Sequence, residues 1–313
     1  MNHRPETIYV TMDESQAKNY LRVFSEQHQK HWGMELITKS KGNEYSKLRH
    51  AIGLTAGYNR NRGYSFYEKS LTGCSDRTNE ITQDLIIRGW SKISDNIFTS
   101  LSSSGLKEVQ EYQKSVFNED ARYSTIEFTF ANLLKTILNK DLMQAIRIYL
   151  HTTKPFCYQP VVLNSTPNIH DKLIEQRKKS DMAFSFHRDI DNIKWVKIFI
   201  NLNTTIGGNH EYYSGSHYSN SRQIESTFSE RQENSIFHDE FSPLTIYESH
   251  LWTGRMGAEP ISKLFHKDNY ESFPTSEGYC WIEDTYGLHR GNPPTSANRK
   301  LMAFEIGQFA IRM

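Results

Sequence analysis

The sequence lacks the features that mark a secreted or membrane-spanning protein. It has only three cysteines, Cys74, Cys157 and Cys280, which are widely separated, odd in number and never in a C-x-x-C pair. This pattern favours reduced thiols over a disulfide framework. No apolar run approaches the ~20 residues that a spanning helix needs, and the first residues lack the apolar segment of a secretory signal. We therefore expect a cytoplasmic protein without a membrane span.

The chain also lacks an excess of either charge. Its 37 Lys and Arg residues balance 36 Asp and Glu residues, so the overall charge favours neither nucleic acid nor an anionic membrane as a partner. Aromatic residues are plentiful instead, with 17 Tyr, 17 Phe and 5 Trp, which suits a β-rich core or an aromatic-lined pocket. We expect a small-molecule substrate, and the sequence leaves the oligomeric state open.

Hydrophobic spacing divides the chain into a helical part and a β-rich part. A helical period predicts helices at about 11–29, 76–101, 105–117 and 125–138. From residue 142 onward, β-prone runs separated by turn residues predict strands at AIRIYL (145–150), MAFSFH (182–187), KWVKIFINL (194–202), HEYYSGSH (210–217), GYCWIEDTY (278–286) and KLMAFEIGQFAI (300–311). We predict one domain, 1–313, in which a mainly helical region, 1–140, buttresses a β core, 142–313, with a polar insertion at about 219–272.

One short motif has the spacing of two metal ligands on a strand. In FSFHRDIDNIKW, residues 184–195, His187 and Asp189 are two residues apart, and side chains at that spacing point to the same face of a β-strand. Two other pairs have this spacing, His238/Glu240 and His266/Asp268. Roughly one or two such pairs are expected by chance in a chain of this composition. The motif alone does not separate a metal site from a half-solvated strand.

Position along the chain favours the first pair. His187 ends one predicted strand, and the strongest predicted strand, 194–202, follows it closely. A glycine turn, a second histidine, His289, and then Arg299 come later in the chain. Two histidines and a carboxylate on one face of an octahedral iron leave positions for a bidentate 2-oxoacid and dioxygen. The far carboxylate of such a cosubstrate needs a fixed cation, which the planar guanidinium of Arg299 supplies.

Three segments in series carry a resemblance to a known family. They are FSFHRDIDNIKWVKIFINLN, GGNHEYYSGSH and GYCWIEDTYGLHRGNPPTSANRKLMAFEIG. In this order they resemble the phytanoyl-CoA dioxygenase family of iron(II)/2-oxoglutarate-dependent oxygenases. The resemblance covers roughly residues 182–220 and 278–308 and does not extend to the first 140 residues.

The resemblance implies both a fold and a site. The fold is mixed α and β, with a double-stranded β-helix core of the jelly-roll or cupin-like type, here buttressed by the N-terminal helices. His187, Asp189 and His289 would be the catalytic iron ligands, and Arg299 would bind 2-oxoglutarate. Because related halogenases lack the carboxylate ligand, Asp189 favours hydroxylation over halogenation.

The cosubstrate site departs from the family pattern at one position. Several members have a serine two residues after the distal histidine, where this chain has Gly291. A different hydroxyl partner is therefore expected for Arg299. A further cosubstrate contact from the strand before the His-x-Asp motif is predicted at Tyr149, with His151 and Tyr158 as the alternatives.

Other charged residues beside the motifs have simpler explanations. Asp191 lies on the same strand face as Asp189 and is the alternative carboxylate ligand. Arg188 alternates to the opposite face, so we expect it at the surface in an ion pair. Arg290 is expected to be a solvated loop cation.

Two further pairs of polar residues are expected to support the site without binding the metal. His210 and His217 lie near the glycine turns at 207–208 and 215 and are expected to be structural residues, with Ser216 and His217 stabilising the second turn through side-chain-to-backbone hydrogen bonds. Glu283 and Asp284 precede His289 and are expected to shape the loop or to hold the free N–H of a ligand histidine.

These features predict an iron(II)- and 2-oxoglutarate-dependent dioxygenase that uses dioxygen, most simply as a hydroxylase of an unactivated C–H bond in a small or medium-sized metabolite. Two alternatives remain. A catalytically degenerate jelly-roll binding protein could retain the same residues. A metal-dependent hydrolase on a β-barrel would need a base near the metal and would not need Arg299 as an anchor.

Overall fold

The structure is a computed structural model of the chain. It describes residues 18, 19, 21, 22, 48, 67–114, 123–125, 131–158, 160–165, 167, 186–189, 192, 194–218 and 267–308. The helix predicted at 11–29 falls mostly outside these residues, as does the insertion up to residue 266.

Helices dominate the described residues before 150. They are α1 (Glu68–Leu71), α2 (Asp76–Ile87), α3 (Ser103–Lys114), α4 (Ala131–Ile137) and α5 (Lys140–Leu150). Polar caps start α2 and α5, since the Ser75 side chain accepts a hydrogen bond from the Thr78 N–H and the Asn139 side chain accepts one from the Leu142 N–H. None of the helices in the described part of the chain combines the length and apolar character that a bilayer span requires.

The strands belong to two antiparallel sheets. They are β1 (Trp90–Ser94), β2 (Tyr123–Thr125), β3 (Phe156–Cys157), β4 (Val161–Ser165), β5 (Trp195–Asn201), β6 (His210–Tyr213), β7 (Tyr270–Ser272), β8 (Cys280–Glu283), β9 (His289–Gly291) and β10 (Arg299–Gly307). The large sheet has the order β1-β8-β5-β10-β4-β2, with β3 also paired to β10. The small sheet has the order β7-β6-β9, and a bridge between His187 and His289 extends it beyond β9.

From β4 onward the chain passes back and forth between the sheets. β4, β5, β8 and β10 lie in the large sheet, whereas residues 186–187, β6, β7 and β9 lie on the small-sheet side. Two facing antiparallel sheets linked in this way form a double-stranded β-helix, a jelly-roll architecture. The fold class predicted from the sequence is therefore confirmed, and the four best-defined strand predictions correspond to β5, β6, β8 and β10.

Alternation along the strands separates two apolar layers. Val196, Ile198 and Ile200 of β5 pack with α2 and α5 on the outer face of the large sheet. Phe199 of β5 packs instead with Tyr212 of β6, between the two sheets. Side chains of one strand alternate between faces, so Lys197 of β5 points to the inter-sheet side, as does Arg299 of β10. The same alternation that builds the core therefore aims charged groups into the space between the sheets.

The helix predicted at 76–101 is wrong beyond residue 87. α2 ends at Ile87, and Gly89 has a positive φ of 85° that turns the chain into β1. β1 pairs with β8, and the Trp90 ring packs edge-on against Phe273 at 4.8 Å between ring centroids. Ile93 and Ile97 fit the helical period, but pairing with a strand nearly 190 residues away determines the structure.

The strand predicted at 145–150 is also wrong, because this run lies in α5. Leu142, Ala145, Ile146 and Tyr149 recur at helical spacing and are buried in α5. The β-branched residues in AIRIYL favour a strand, but a capped, amphipathic helix buries them against the large sheet. Residues 145–150 therefore belong to a helix, whereas β1 and β2, which come earlier in the chain, already belong to the large sheet.

The cysteines are free thiols, as the sequence predicts. Cys74 and Cys157 are half-buried, and Cys280 is fully buried in β8. Burial raises the pKa of Cys157 to about 12 and also raises the pKa of Cys280, so these two thiols remain protonated at neutral pH.

Two glycines offer a matched test of the packing where α2 meets the sheets. A Cβ on Gly89 would lie 2.2 Å from the Tyr212 hydroxyl oxygen, whereas one on Gly73, which has a similar positive φ, would have no atom within 4 Å. We expect Gly73→Ala to lower the free energy of unfolding by about 1 kcal/mol through backbone strain. Gly89→Ala adds a clash and should cost about 3 kcal/mol or more. Urea denaturation measures both, and equal losses would contradict this packing.

Candidate metal centre

His187, Asp189 and His289 meet at the edge of the small sheet. His187 Nε2 lies 3.6 Å from Asp189 Oδ1, and His289 Nε2 lies 3.6 Å from Asp189 Oδ2. One ligand atom of each side chain lies within 4.8 Å of the others, and among the described residues they form the one such group of three His, Cys, Asp or Glu side chains. Two imidazoles and one carboxylate are the donor set of facial iron(II) sites.

Backbone hydrogen bonds hold the three side chains together. His187 N–H donates to the His289 carbonyl at 2.9 Å, and His289 N–H donates to the His187 carbonyl at 3.1 Å. Asp189 N–H donates to the Thr285 carbonyl at 2.8 Å. His289 Nδ1 lies 2.9 Å from the Gly287 carbonyl oxygen, which favours a proton on Nδ1 and leaves Nε2 free to coordinate. One bridge between distant strands thus brings both histidines to the same point.

Asp189 is held in its ionised form by neighbouring cations. Lys197 Nζ lies 2.6 Å from Asp189 Oδ2 and 3.8 Å from Glu305 Oε2. Burial opposes ionisation, but the charges of Lys197, His289 and His187 outweigh it, and the pKa of the Asp189 carboxyl lies well below its usual range. The Lys197 contact was not predicted, although Lys197 is the one charged residue within the otherwise apolar strand β5.

Arg299 is buried between the sheets with an incomplete set of partners. Its side chain is 5% exposed, and its Nε has no hydrogen-bond partner. No carboxylate in the described part of the chain lies within ion-pair distance of it. Burial lowers its pKa to about 10, a shift that the nearby Glu283 charge opposes. A buried guanidinium without a counter-ion is costly unless it binds an anionic group.

Two glycines, Gly208 and Gly291, place backbone without side chains beside Arg299. A Cβ on Gly208 would lie 3.3 Å from Arg299 Cδ, and one on Gly291 would lie 3.2 Å from Arg299 Nη1. Gly291 occupies the position where a serine is expected from the family resemblance. The guanidinium fills part of the space that such a side chain would need.

A buried His–Glu pair lines the same space. His210 Nε2 lies 3.0 Å from Glu283 Oε1, and Trp281 Nε1 donates to Glu283 Oε2 at 2.9 Å. Burial and then the charge of Arg299 lower the pKa of His210 to about 3, while burial raises the pKa of Glu283 to about 7. His210 is not among the clustered ligand residues, but its ring lies 5.6 Å from that of His289.

The surface position predicted for Arg188 is wrong. Arg188 is 6% exposed, donates to the Ser216 carbonyl at 3.0 Å and lies over the Tyr286 ring at 4.8 Å. Alternation does direct it away from the metal ligands, but the opposite side is covered by the segment 214–218. Arg290 is likewise not a solvated cation, since its Nε donates to Glu211 Oε2 at 2.5 Å.

Neither Glu283 nor Asp284 holds the free nitrogen of His289, which faces Gly287 instead. Asp284 accepts hydrogen bonds from the Tyr149 hydroxyl at 2.6 Å and from the Tyr286 N–H at 3.0 Å. This agrees with the loop-shaping role. His217 has a similar structural position, with Nε2 lying 3.2 Å from the Ile86 carbonyl oxygen at the end of α2.

The residues predicted as additional cosubstrate contacts make hydrogen bonds or ring contacts with other residues of the fold. Tyr149 is on the buried face of α5 and bonds Asp284. The His151 ring stacks on Tyr67 at 4.7 Å, and the Tyr158 hydroxyl accepts from Asn192 Nδ2 at 3.2 Å. These contacts do not support the prediction that Tyr149 binds the cosubstrate, which stays a prediction.

Replacing Tyr149 by Phe separates the two roles. The change removes a hydrogen bond to a buried carboxylate, so we expect the free energy of unfolding to fall by about 2 kcal/mol. The Michaelis constant for 2-oxoglutarate should stay within about twofold of the wild-type value if this bond is only structural. Thermal denaturation and steady-state kinetics provide the two readouts. A stable variant with a strongly raised Michaelis constant would restore Tyr149 as a cosubstrate contact.

Several sequence candidates lie outside the described residues. They are Asp191, His238, Glu240 and His266. Asp189 is therefore the carboxylate that the described geometry offers to the two histidines, and Asp191 remains the alternative for experiment.

No protein-family model matches this chain, and no curated protein sequence is significantly similar to it. The resemblance to the phytanoyl-CoA dioxygenase family is therefore not confirmed by sequence comparison. Solved structures with a similar arrangement of strands do exist. One is HygX from Streptomyces hygroscopicus with iron bound, at 15% identity and a TM-score of 0.41, covering 73% of this chain and 85% of HygX.

Two others come from nogalamycin biosynthesis. The non-heme alpha ketoglutarate dependent carbocyclase SnoK is 14% identical with a TM-score of 0.40, covering 75% of this chain and 86% of SnoK. The epimerase SnoN, in complex with Fe3+, alpha ketoglutarate and nogalamycin RO, is 10% identical with a TM-score of 0.41, covering 74% of this chain and 83% of SnoN. Likenesses this distant concern the general strand arrangement alone.

Proposed function

We propose that this protein is a non-haem iron(II)- and 2-oxoglutarate-dependent oxygenase that hydroxylates an unactivated C–H bond of a small or medium-sized metabolite. The observation that carries the proposal is the combination of the His187–Asp189–His289 cluster with a buried Arg299 that no carboxylate among the described residues pairs with. The cluster suits iron(II), and Arg299 suits the carboxylate of a dicarboxylic 2-oxoacid.

The residues fit both groups on the chemistry of their donors. His187, Asp189 and His289 would hold the metal from one side and leave the other side for ligands. Arg299 would bind the far carboxylate of 2-oxoglutarate, which would supply the counter-ion that the buried guanidinium lacks. When bound, iron(II) and 2-oxoglutarate together supply the activation of dioxygen, with the cosubstrate converted to succinate and carbon dioxide.

The protein itself would orient the reactants and exclude water. Lys197 would balance the charge of Asp189, whose Oδ2 lies 2.6 Å from Lys197 Nζ, and would fix the orientation of the carboxylate. Phe199, Trp281 and Phe273 belong to one buried aromatic cluster, which would shield a bound cosubstrate from water. A dry site of this kind prevents loss of the reactive oxidant to solvent. Which substrate enters depends on residues that carry no readable motif.

Anaerobic titration tests the proposal directly. Purified protein is titrated with iron(II) and then with 2-oxoglutarate, and binding is followed by calorimetry and by the charge-transfer absorption of an iron(II)–2-oxoacid chelate. We expect tight metal binding and cosubstrate binding that requires the metal. In air, the complex should form succinate slowly without substrate. Metal binding without any 2-oxoglutarate binding would reject the oxygenase and favour a metal-dependent hydrolase. Cosubstrate binding without succinate formation would indicate a degenerate binding protein.

A further inference from the structure

His210 lies beside both ends of the proposed cosubstrate site. Its ring is nearly parallel to that of His289, with centroids 5.6 Å apart and an interplanar angle of 23°. Its pKa responds to the charges of Arg299 and Asp189, which places it within electrostatic reach of the anchor and of the metal cluster. The imidazole therefore borders the space that a molecule joining the two would occupy.

The strand register brings His210 next to the vacant side-chain position at Gly291. His210 of β6 is directly opposite Gly291 of β9, and directly opposed residues of a ladder project to the same face about 5 Å apart. A Cβ at Gly291 would in turn lie 3.2 Å from Arg299 Nη1. The missing side chain thus lets the Arg299 guanidinium approach the backbone of β9 on the face that it shares with the His210 imidazole.

His210 is held in one orientation through Nε2, one of its two ring nitrogens. Its Nε2 faces Glu283 Oε1 at 3.0 Å, and Trp281 Nε1 holds the other carboxylate oxygen at 2.9 Å. Phe199, Trp281 and Phe273 enclose the ring. No described residue hydrogen-bonds Nδ1, although the side chain is only 5% exposed. A buried polar pair inside an aromatic layer is costly compared with apolar side chains, so a purely packing role does not account for it.

We propose that His210, oriented by Glu283, is a second cosubstrate-binding residue that contacts the far carboxylate of 2-oxoglutarate together with Arg299. It takes the place of the hydroxyl partner that Gly291 cannot provide. In this arrangement the neutral imidazole carries its proton on Nδ1, which donates to the far carboxylate, while Nε2 accepts a hydrogen bond from the protonated Glu283 carboxyl. Glu283 is a positioning residue that acts through His210. This inference rests on the proposed function, because it assigns a contact within the same site.

Replacing His210 by Asn or by Gln distinguishes cosubstrate binding from a packing role, because each amide substitutes for one of the two ring nitrogens. In His210→Asn, the amide lies near the position of Nδ1 and loses the bond to Glu283. In His210→Gln, the amide lies near the position of Nε2 and keeps that bond. We expect His210→Leu to weaken 2-oxoglutarate binding by roughly 10- to 100-fold, the scale of one hydrogen bond to a charged group. His210→Asn should retain more affinity than His210→Gln, whereas a structural role predicts the reverse order.

The experiment measures dissociation constants anaerobically by calorimetry for iron(II), for 2-oxoglutarate and for 2-oxopentanoate, which lacks the far carboxylate. We expect wild-type affinity for iron(II) in all variants and a loss for 2-oxoglutarate that disappears with 2-oxopentanoate. Under turnover, the Michaelis constant for 2-oxoglutarate should rise while kcat stays close to wild type. Equal losses for both 2-oxoacids, or no loss at all, would overturn the inference.

Glu283 provides a second test if the His210 variants fail to fold. Glu283→Gln keeps a hydrogen bond to Nε2 and should bind 2-oxoglutarate within about threefold of wild type, whereas Glu283→Leu releases the imidazole and should bind about tenfold more weakly. Equal binding by these two variants would contradict the positioning role. A wild-type protein that binds iron(II) but no 2-oxoglutarate would instead reject the proposed function itself, so the two failures are distinguishable.

Discussion

Replacing Asp189 by Ala is expected to abolish iron-dependent conversion of 2-oxoglutarate to succinate. The change leaves two neutral imidazoles and removes the carboxylate that lies 2.6 Å from Lys197 Nζ, so the positive charge of Lys197 beside the metal position is less well balanced. Both effects weaken binding of a divalent cation, and we expect iron(II) affinity to fall by more than about 100-fold. Competition with a metal-sensitive chelator measures the affinity, and succinate formation measures the activity.

Two variants complete this test. Asp189→Asn keeps the shape of the side chain and removes its charge, so it should lose the metal while retaining the wild-type circular dichroism spectrum. Asp191→Asn is the matched control for the alternative carboxylate and should keep most of the activity. Turnover that survives in Asp189→Ala and disappears in Asp191→Asn would assign the ligand role to Asp191.

Replacing Arg299 by Met should weaken 2-oxoglutarate binding on the order of 100-fold or more, the usual cost of removing one partner from a buried charged pair. Iron(II) affinity should not change, because Arg299 is not among the clustered ligand residues. Without cosubstrate, the Arg299→Met variant should be at least as stable as the wild type. In the wild type, Arg299 Nε has no hydrogen-bond partner among the described residues, and replacing a buried charge that lacks a partner by an apolar side chain is neutral or stabilising.

Arg299→Lys provides the control for geometry. It keeps a positive charge but loses the planar pair of donors, so its affinity for 2-oxoglutarate should lie between those of wild type and Arg299→Met. Anaerobic calorimetry and thermal denaturation provide the two measurements. Unchanged cosubstrate affinity in Arg299→Met, or a large loss of stability in the unliganded protein, would contradict the anchoring role.

Local sequence was enough to select His187 and Asp189 as a candidate pair because the relevant information is local. A spacing of two residues places His187 and Asp189 on one strand face whatever the rest of the fold does. The order of the later strands then indicated His289 and Arg299. The structure brings His187, Asp189 and His289 together and buries Arg299 beside Glu283.

Predictions from propensity failed where long-range pairing determines the structure. Residues 90–94 fit a helical period but form β1, since β8 offers a pairing edge and Gly89 ends the helix. Residues 145–150 are rich in β-branched and aromatic side chains but lie in α5, where helical spacing buries them. The partner of β1 is remote in sequence, so no local pattern reveals it, whereas the helical spacing of α5 is a local pattern that its β-branched residues obscure.

By itself, the sequence determined the class of fold, the strands β5, β6, β8 and β10, and the candidate residues for a metal site. Only the tertiary structure decided which polar groups surround them. Lys197 reaches Asp189, Glu283 holds His210, and Arg188 is buried beneath Ser216. These contacts depend on the register between strands and on the distance between two sheets, and neither is set by the spacing of residues along one strand.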